Sequence, residues 1–428
     1  MKKPIVTEEM SPRAFLVGIR DGKTPVSGSD SGARELVGLV DTLGLETVSS
    51  ETVHVREKNA RYGMGKGKAE ELAQKAASLE AECIIFDCNM SPSQQQNWEE
   101  LAGIPAIDRQ ELIIQIFADR ARTREAELQV CLAELKFALP RLRHKYIDLS
   151  RQRGGRYGTK GAGETRFETD RRRVEERIQR LEEELEEVKR QRQVQRRQRE
   201  RQGMPVCALV GYTNAGKSSI LNALTGAAVP AEDKLFSTLD STSRRLELPG
   251  GTQVLLVDTV GFIRRLPHSL IDAFRSTLEE VRLADLLLNV VDAASHDAES
   301  QYETTLSVLR DLEAENVPMI TVLNKIDKLD PEIHIGAVPG YCAGRSGACA
   351  AVSATAGRGL HELCQQIENA LLGACKRYRF PPERTDLAAF LHRSAPVFSE
   401  KYEESYIEME ARVDGITAGR LREYQVNG

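Results

Sequence analysis

Gly211, Tyr212, Thr213, Asn214, Ala215, Gly216, Lys217, Ser218 and Ser219 fit the pattern G-x-x-x-x-G-K-[ST]. Residues of these types in this order can cradle phosphates. The glycines let backbone N–H groups turn inward around phosphate oxygens, at the positive end of a helix. The Lys217 ammonium is expected to reach β- and γ-phosphates, and the Ser218 hydroxyl to ligate Mg²⁺. The motif requires a strand before it and a helix after it. The apolar run 206–210 reads as a buried strand, and Ile220, Leu221 and Leu224 fall on one side of a following helix.

Further short motifs follow in chain order. Leu235, Phe236, Ser237, Thr238, Leu239 and Asp240 lack strand periodicity and read as a loop ordered by a bound triphosphate, with Thr238 the second Mg²⁺ ligand. Asp258, Thr259, Val260 and Gly261 fit D-x-x-G at the end of an apolar run. Asp258 would hold Mg²⁺ through water, and the Gly261 N–H would sense the γ-phosphate. Lys217, Thr238 and Gly261 are therefore the residues expected to act on the reacting phosphate.

Asn324, Lys325, Ile326 and Asp327 form N-K-x-D after the apolar run 319–323. The Asp327 carboxylate can accept from both guanine N1–H and N2–H₂. Adenine offers neither donor and would leave the carboxylate unpaired. Charge-assisted hydrogen bonds contribute roughly 1.5–3 kcal/mol each, so two discriminate strongly. Asn324 and Lys325 would support the base and the loop. Ser353, Ala354 and Thr355 follow another strand, where a backbone N–H can meet guanine O6. Each motif is weak alone. All in order, each at a strand end where open α/β sheets bind ligands, they point to GTP and GDP with Mg²⁺.

Two neighbours refine this reading. Phe262 follows Gly261, where many GTPases carry a glutamine that orients water. Phenylalanine cannot hydrogen-bond water, so turnover is expected to be slow until a partner accelerates it. The Asn214 amide oxygen can either help coordinate K⁺ beside the phosphates or simply shape the loop.

The chain of 428 residues is 41% hydrophobic and carries a net charge of −5, enough for several cores and without overall basic character. Eight cysteines (83, 88, 131, 207, 342, 349, 364 and 375) show no metal-ligand spacing and read as buried thiols. No apolar run reaches membrane-spanning length. A cytoplasmic monomer is the expectation, with peripheral membrane association left open.

The elements that would position these residues fall into four blocks. Residues 1–108 alternate strand-like stretches (14–19, 47–55, 83–87) with helical ones (31–43, 68–79, 93–101), implying a parallel sheet. Residues 109–204 read as a helical hairpin around a glycine-rich basic loop, 151–167. Pro140 is expected to kink or divide its first helix. Val174, Ile178, Leu181, Leu185 and Val188 form a packing seam on the second, with Thr165-x-x-Glu168 its candidate capping box. A plain polar spacer is the alternative. Residues 205–373 form the nucleotide domain, with strands at 206–210, 244–248, 253–258, 286–291, 319–323 and 349–352. Residues 374–428 read as a small α/β domain, helical near 387–391 and extended near 406–411. The expected class is thus a multidomain α/β protein built around a P-loop GTPase domain.

Between the long helices lies Gly158-x-x-Gly161-x-Gly163-Glu-Thr-x-x-Glu168-Thr-Asp-Arg-Arg172. With the phosphate loop, Leu235-Phe-Ser-Thr-Leu-Asp240, Asp258-Thr-Val-Gly-Phe262 and Tyr62-Gly-Met-Gly-Lys-Gly-Lys68, it resembles the HflX family of translational GTPases over nearly the whole chain. Ala162 and Phe167 stand where relatives often have Pro and Leu, and Arg156-Tyr157 replaces a more glycine-rich stretch. The resemblance implies a GTPase that binds the large ribosomal subunit and its rRNA, splitting or rescuing stalled ribosomes under heat stress.

The residues allow that independently. Arg151, Arg153, Arg156, Lys160 and Arg166 face a single acid, Glu164, and Tyr157 can stack on a base. The basic run from Lys189 to Arg201 is either a second RNA contact or a solvated face balanced by the acids at 182–187. Gly63-x-Gly65-x-Gly67 reads as a turn entering a helix, with a second nucleotide site the less favoured alternative. Two other function classes stay open: a nucleotide-dependent switch that binds a protein partner, and an ATP-driven RNA remodeller.

Overall fold

The computed structural model describes residues 11–21, 29–57, 59–152, 162–201, 204–227, 235–239, 242–265, 275–329, 348–372, 376–395, 397–413 and 415–426. Asp240 and the loop residues 153–161 lie outside them, as do the side chains of Arg151 and 162–167. By contacts the chain forms two compact units. The first is Met1–Arg192 with Asp233–Leu239 and Arg265–Arg275; the second is Gln193–Glu232, Asp240–Arg264 and Ser276–Gly428.

The first unit opens with β1 (Arg13–Asp21), α1 (Ser29–Thr42), β2 (Glu46–Val55), α2 (Lys66–Ser78), β3 (Cys83–Phe86), α3 (Pro92–Ala102) and β4 (Ala106–Asp108). The strands form a parallel sheet in the order β2-β1-β3-β4. Chain signals at the helix ends explain its punctuation. Ser91 and Gln94 close a capping box on α3, and Gly103 ends that helix in the left-handed region at φ 72°. Gly63, at φ 74°, turns the chain toward α2, whose N-cap is Gly65. That is the turn into a helix favoured from the sequence.

Three helices follow: α4 (Arg109–Arg120), then the two longest, α5 (Arg124–Gln152) and α6 (Ala162–Arg201). Two expectations are corrected here. The helical run breaks at 121–123, and of the two outcomes expected at Pro140 division does not occur, because α5 continues through it. Tertiary anchors hold it: the Arg141 guanidinium lies 3.4 Å from the Phe137 ring centroid, donates to the Phe137 carbonyl at 3.0 Å and pairs with buried Asp108 at 3.1 Å. The capping box also fails, because α6 begins at Ala162 and Thr165 lies inside it. The expected seam packs from Ile178 to Val188, and Val174 lies outside the cluster. Leu128, Leu132 and Leu181 are buried, with Ile178, Leu185 and Val188 against them. Arg124–Glu184 (2.7 Å), Lys136–Glu182 (2.8 Å) and Glu125–Arg192 (2.8 Å) bridge the antiparallel pair.

The second unit carries β5 (Val206–Gly211), α7 (Lys217–Thr225), β6 (Thr242–Glu247), β7 (Gln253–Asp258), α8 (Arg275–Arg282), β8 (Leu286–Asp292), α9 (Ala298–Asp311), β9 (Met319–Asn324), β10 (Ala348–Ala351) and α10 (Leu360–Leu372), the first residue of α8 grouping with the first unit. Its six-stranded sheet runs β10-β9-β8-β5-β7-β6, parallel except for β6. Near-continuous apolar strands such as Leu286–Asp292 are what a sheet covered on both faces requires. The β6–β7 turn is pinned from behind: Gly250 N donates to both Glu368 carboxylate oxygens at 3.0 and 3.2 Å. A Cβ on Gly250 would come within 2.4 Å of Glu368 Oε1. Glu368, buried on α10, also pairs with Arg412 at 3.3 Å.

The final elements are β11 (Lys376–Phe380), α11 (Thr385–Ser394), β12 (Val397–Tyr402), β13 (Ile407–Ala411), α12 (Gly415–Arg420) and β14 (Gln425–Val426). They form an antiparallel sheet in the order β12-β13-β11-β14, cored by Tyr378, Phe380, Leu391, Ile407 and Met409.

Candidate guanine nucleotide site

The phosphate loop joins β5 to α7 and bends as its residue types require. Gly216 has φ 93°, and a Cβ there would lie 2.2 Å from Asn324 Nδ2. Gly211 has φ 142° and faces the Val290 carbonyl, 2.2 Å from where a Cβ would be. Only glycine fits either position. The Lys217 Nζ is buried and donates to the carbonyls of Gly211 at 3.2 Å and Tyr212 at 2.9 Å. Burial pushes its ammonium down to about 8, an effect partly offset by Asp258.

Ser218 Oγ donates to Asp258 Oδ2 at 2.5 Å, and both side chains are buried. This is a hard oxygen donor pair of the kind Mg²⁺ takes. Among the described residues no group of three or more His, Cys, Asp or Glu gathers to hold another metal. Thr259 Oγ1 donates to the Leu209 carbonyl at 2.7 Å, tying the D-x-x-G turn to β5.

The base-reading motifs also converge. Asn324 Nδ2 donates to the Ala215 carbonyl at 2.9 Å, and its Oδ1 accepts from Ala354 N at 3.2 Å. One side chain therefore links phosphate loop, N-K-x-D and the Ser353–Ala354 turn. Lys325 Nζ donates to the Asn214 carbonyl at 2.8 Å. Asp327 is exposed and accepts from Ser353 Oγ, the main reason its carboxyl is held below the ordinary carboxylate range. Ser353 Oγ lies 3.2 Å from Thr355 Oγ1 and accepts from Ala356 N at 3.1 Å. Asn214 and Lys325 hold left-handed φ of 60° and 64°.

Phe236–Leu239 group by contacts with the first unit, whereas Ser218 and Asp258 belong to the second. Phe236 and Leu239 are buried there, the Phe236 ring edge-on to Phe117 with centroids 4.8 Å apart. Phe262 is buried too.

Sequence reasoning missed Asp292, which pairs with Lys325 at 2.8 Å and steadies the N-K-x-D lysine. The available signal was an acid closing the apolar run 286–291. It also missed Tyr212 Oη, which accepts from Arg264 N at 3.0 Å.

Three family models match in succession: GTP-binding GTPase N-terminal over residues 30–118, GTP-binding GTPase Middle Region over 120–199, and 50S ribosome-binding GTPase over 206–325. The GTPase HflX of Akkermansia muciniphila is 45% identical over 413 residues, covering 94% of each chain. That of Caldanaerobacter subterraneus is 43% identical over 92% of this chain and 90% of its own, and that of Escherichia coli K12 40% over 87% of each. A GTP-binding protein of Sulfolobus solfataricus, solved with GDP, aligns at 23% identity and TM-score 0.45 over 84% of this chain and 98% of that one. No described helix is long and apolar enough to cross a membrane. With relatives this similar along almost its whole length, the chain belongs to the HflX family of GTPases and hydrolyses GTP to GDP and phosphate.

Proposed function

We propose that the chain, with GTP bound, docks on the large ribosomal subunit and splits or rescues stalled ribosomes, notably under heat stress. One observation carries this reading. Two packed antiparallel helices, of 29 and 40 residues, are joined in sequence by the glycine-rich basic segment around 151–167. At 1.5 Å rise per residue the shorter helix reaches about 43 Å. A pair of this length can carry a segment rich in arginine and glycine among RNA phosphates. The match to a family described as 50S ribosome-binding GTPase supports the same partner.

On this reading Asp327 and the Ser353–Thr355 turn hold guanine, and the loop 211–219 holds the phosphates. Ser218, Thr238 and, through water, Asp258 would hold Mg²⁺, which supplies charge neutralisation at the β- and γ-oxygens. Lys217 and the Gly261 N–H stabilise charge on the γ-phosphate while water attacks it. Among the described residues no side chain is assigned as general base, and buried Phe262 offers water no hydrogen bond. Ribosome contact would supply what is missing by ordering the loops. K⁺ held by the Asn214 amide oxygen belongs to the same proposal; equal turnover in Na⁺ and K⁺ would dismiss it.

Co-sedimentation tests the partner. With a non-hydrolysable GTP analogue the chain should pellet with isolated large subunits and more weakly with GDP. Replacing Arg153, Arg156 and Arg166 by Ala should weaken pelleting and spare nucleotide binding. Equal recovery with and without subunits would defeat the ribosomal reading and favour a protein-partner switch.

A further inference from the structure

We infer that the Thr213 hydroxyl binds the γ-phosphate and holds the attacking water against it, the second being a task that Phe262 leaves unfilled. The inference rests on the guanine nucleotide reading and adds a catalytic residue to it. Thr213 lies in the phosphate loop and is only 5% exposed. Its Oγ1 is buried and has no hydrogen-bond partner among the described residues. The neighbouring hydroxyls are taken up: Ser218 Oγ donates to Asp258 Oδ2, and Thr259 Oγ1 donates to the Leu209 carbonyl. An unpaired buried hydroxyl costs stability, whereas a valine of the same branched shape would leave nothing unpaired. A threonine at this position is therefore set up for a partner that arrives from outside the chain.

The surroundings point to that partner. Phe262 N donates to the Gly211 carbonyl at 3.0 Å, and Thr213 N donates to the Phe262 carbonyl at 2.8 Å. These backbone bonds hold Gly261 against the phosphate loop. A Cβ on Gly261 would lie 2.8 Å from both Thr213 Cα and Cγ2, and 3.0 Å from Lys217 Nζ. The Thr213 side chain, the Gly261 main chain and the Lys217 ammonium thus crowd around one point. The Gly261 N–H and Lys217 are the groups already given to the γ-phosphate. A phosphoryl group engaged by both comes within reach of the third. A hydroxyl offers one donor and two lone pairs, which suits the task. Its hydrogen goes to a γ-phosphate oxygen, and a lone pair accepts an O–H of water. The water oxygen then faces phosphorus. The new P–O bond forms as the bond to the β–γ bridging oxygen breaks, and the water's proton ends on the released phosphate. Thr213 keeps its own proton. A neutral hydroxyl places water without deprotonating it, so turnover of the isolated chain stays slow.

Thr213→Val deletes the hydroxyl and keeps the branched shape, while Thr213→Ser keeps the hydroxyl. The test measures affinities of the full-length chains for GDP and a non-hydrolysable GTP analogue, both with Mg²⁺, and the single-turnover hydrolysis of bound GTP. Loss of a hydrogen bond to a charged oxygen should lower analogue affinity of the valine chain about tenfold, with GDP affinity unchanged. Hydrolysis of bound GTP should slow about 10- to 100-fold. Serine should restore both to within about threefold of the parent. Where valine disturbs GDP binding, Thr213→Ala makes the same comparison. Merely structural damage lowers both affinities together and is not repaired by serine. A valine chain with the parent's ratio of affinities or the parent's hydrolysis rate, or a serine chain as impaired as the valine one, would overturn the assignment. Failure of the unsubstituted chain to bind either nucleotide would instead overturn the guanine nucleotide reading, and the role of Thr213 with it.

Discussion

Asp327→Asn should invert the base preference of the site. In the parent the Asp327 carboxylate accepts from Ser353 Oγ, which in turn accepts from Ala356 N at 3.1 Å. A carboxylate offers four lone-pair positions, so enough remain for guanine N1–H and N2–H₂. An asparagine would keep its carbonyl oxygen toward the Ser353 hydroxyl. Its amide N–H₂ would then face the base, donor against donor. Two charge-assisted hydrogen bonds of roughly 1.5–3 kcal/mol each are lost, about 3–6 kcal/mol in all. GTP affinity should fall by about two to four powers of ten. Xanthine carries a carbonyl where guanine carries its 2-amino group, so xanthosine triphosphate should gain. Calorimetric titration with GTP, xanthosine triphosphate and ATP reads all three. Because Ser353 holds the Asp327 carboxyl below the ordinary range, GTP affinity of the parent should stay flat from neutral pH down to about 5. A variant that binds GTP within about threefold of the parent would refute the assignment of Asp327 to the base.

Other outcomes follow from the same geometry. Lys217 titrates near 8 before phosphate arrives, so GDP affinity should fall as pH rises above 8, toward about tenfold per unit; a flat profile to pH 9.5 would contradict its role. Stability runs the other way: between about 8 and 10.5 the unfolded chain keeps a proton that the folded one has shed, so folding gains as pH rises through that window. Gly216→Ala forces a side chain to φ 93° and onto Asn324 Nδ2, which should cost about 2 kcal/mol or more and at least about thirtyfold in GDP affinity; unchanged binding with an unchanged circular dichroism spectrum would count against the loop geometry. The isolated chain should turn over GTP well below ~1 s⁻¹, because buried Phe262 offers the attacking water no hydrogen bond; a phosphate-release assay at or above that rate would show that water is oriented another way.

The sequence revealed most where chemistry is local. The phosphate loop, D-x-x-G and N-K-x-D are short runs whose residue types are dictated by backbone angles and donors within a few positions. Strand Val206–Gly211 and the hairpin seam were legible because burial imposes period and apolarity directly. What escaped depended on distant partners. Helix α5 tolerates Pro140 because Arg141 reaches Gln95, Met90 and Asp108, dozens of residues away. Asp292 and Lys325 meet only once β8 and β9 pair in register. Strand β4 is three residues long, and β11 and β12 are too charged to read as sheet core. The Tyr212–Arg264 bond uses a backbone N–H, which no side-chain pattern announces.

The buried carboxylate behind the β6–β7 turn has a mechanical corollary. Strand β7 lies between β5 and β6, so its course is fixed along its length by the sheet and at its start by the pinned turn. Its nucleotide end carries Asp258, and the turn at its other end meets Glu368, which Arg412 grips. One strand and one turn thus connect the Mg²⁺-side carboxylate to Arg412 of the last domain, a path that does not require that domain to touch the nucleotide.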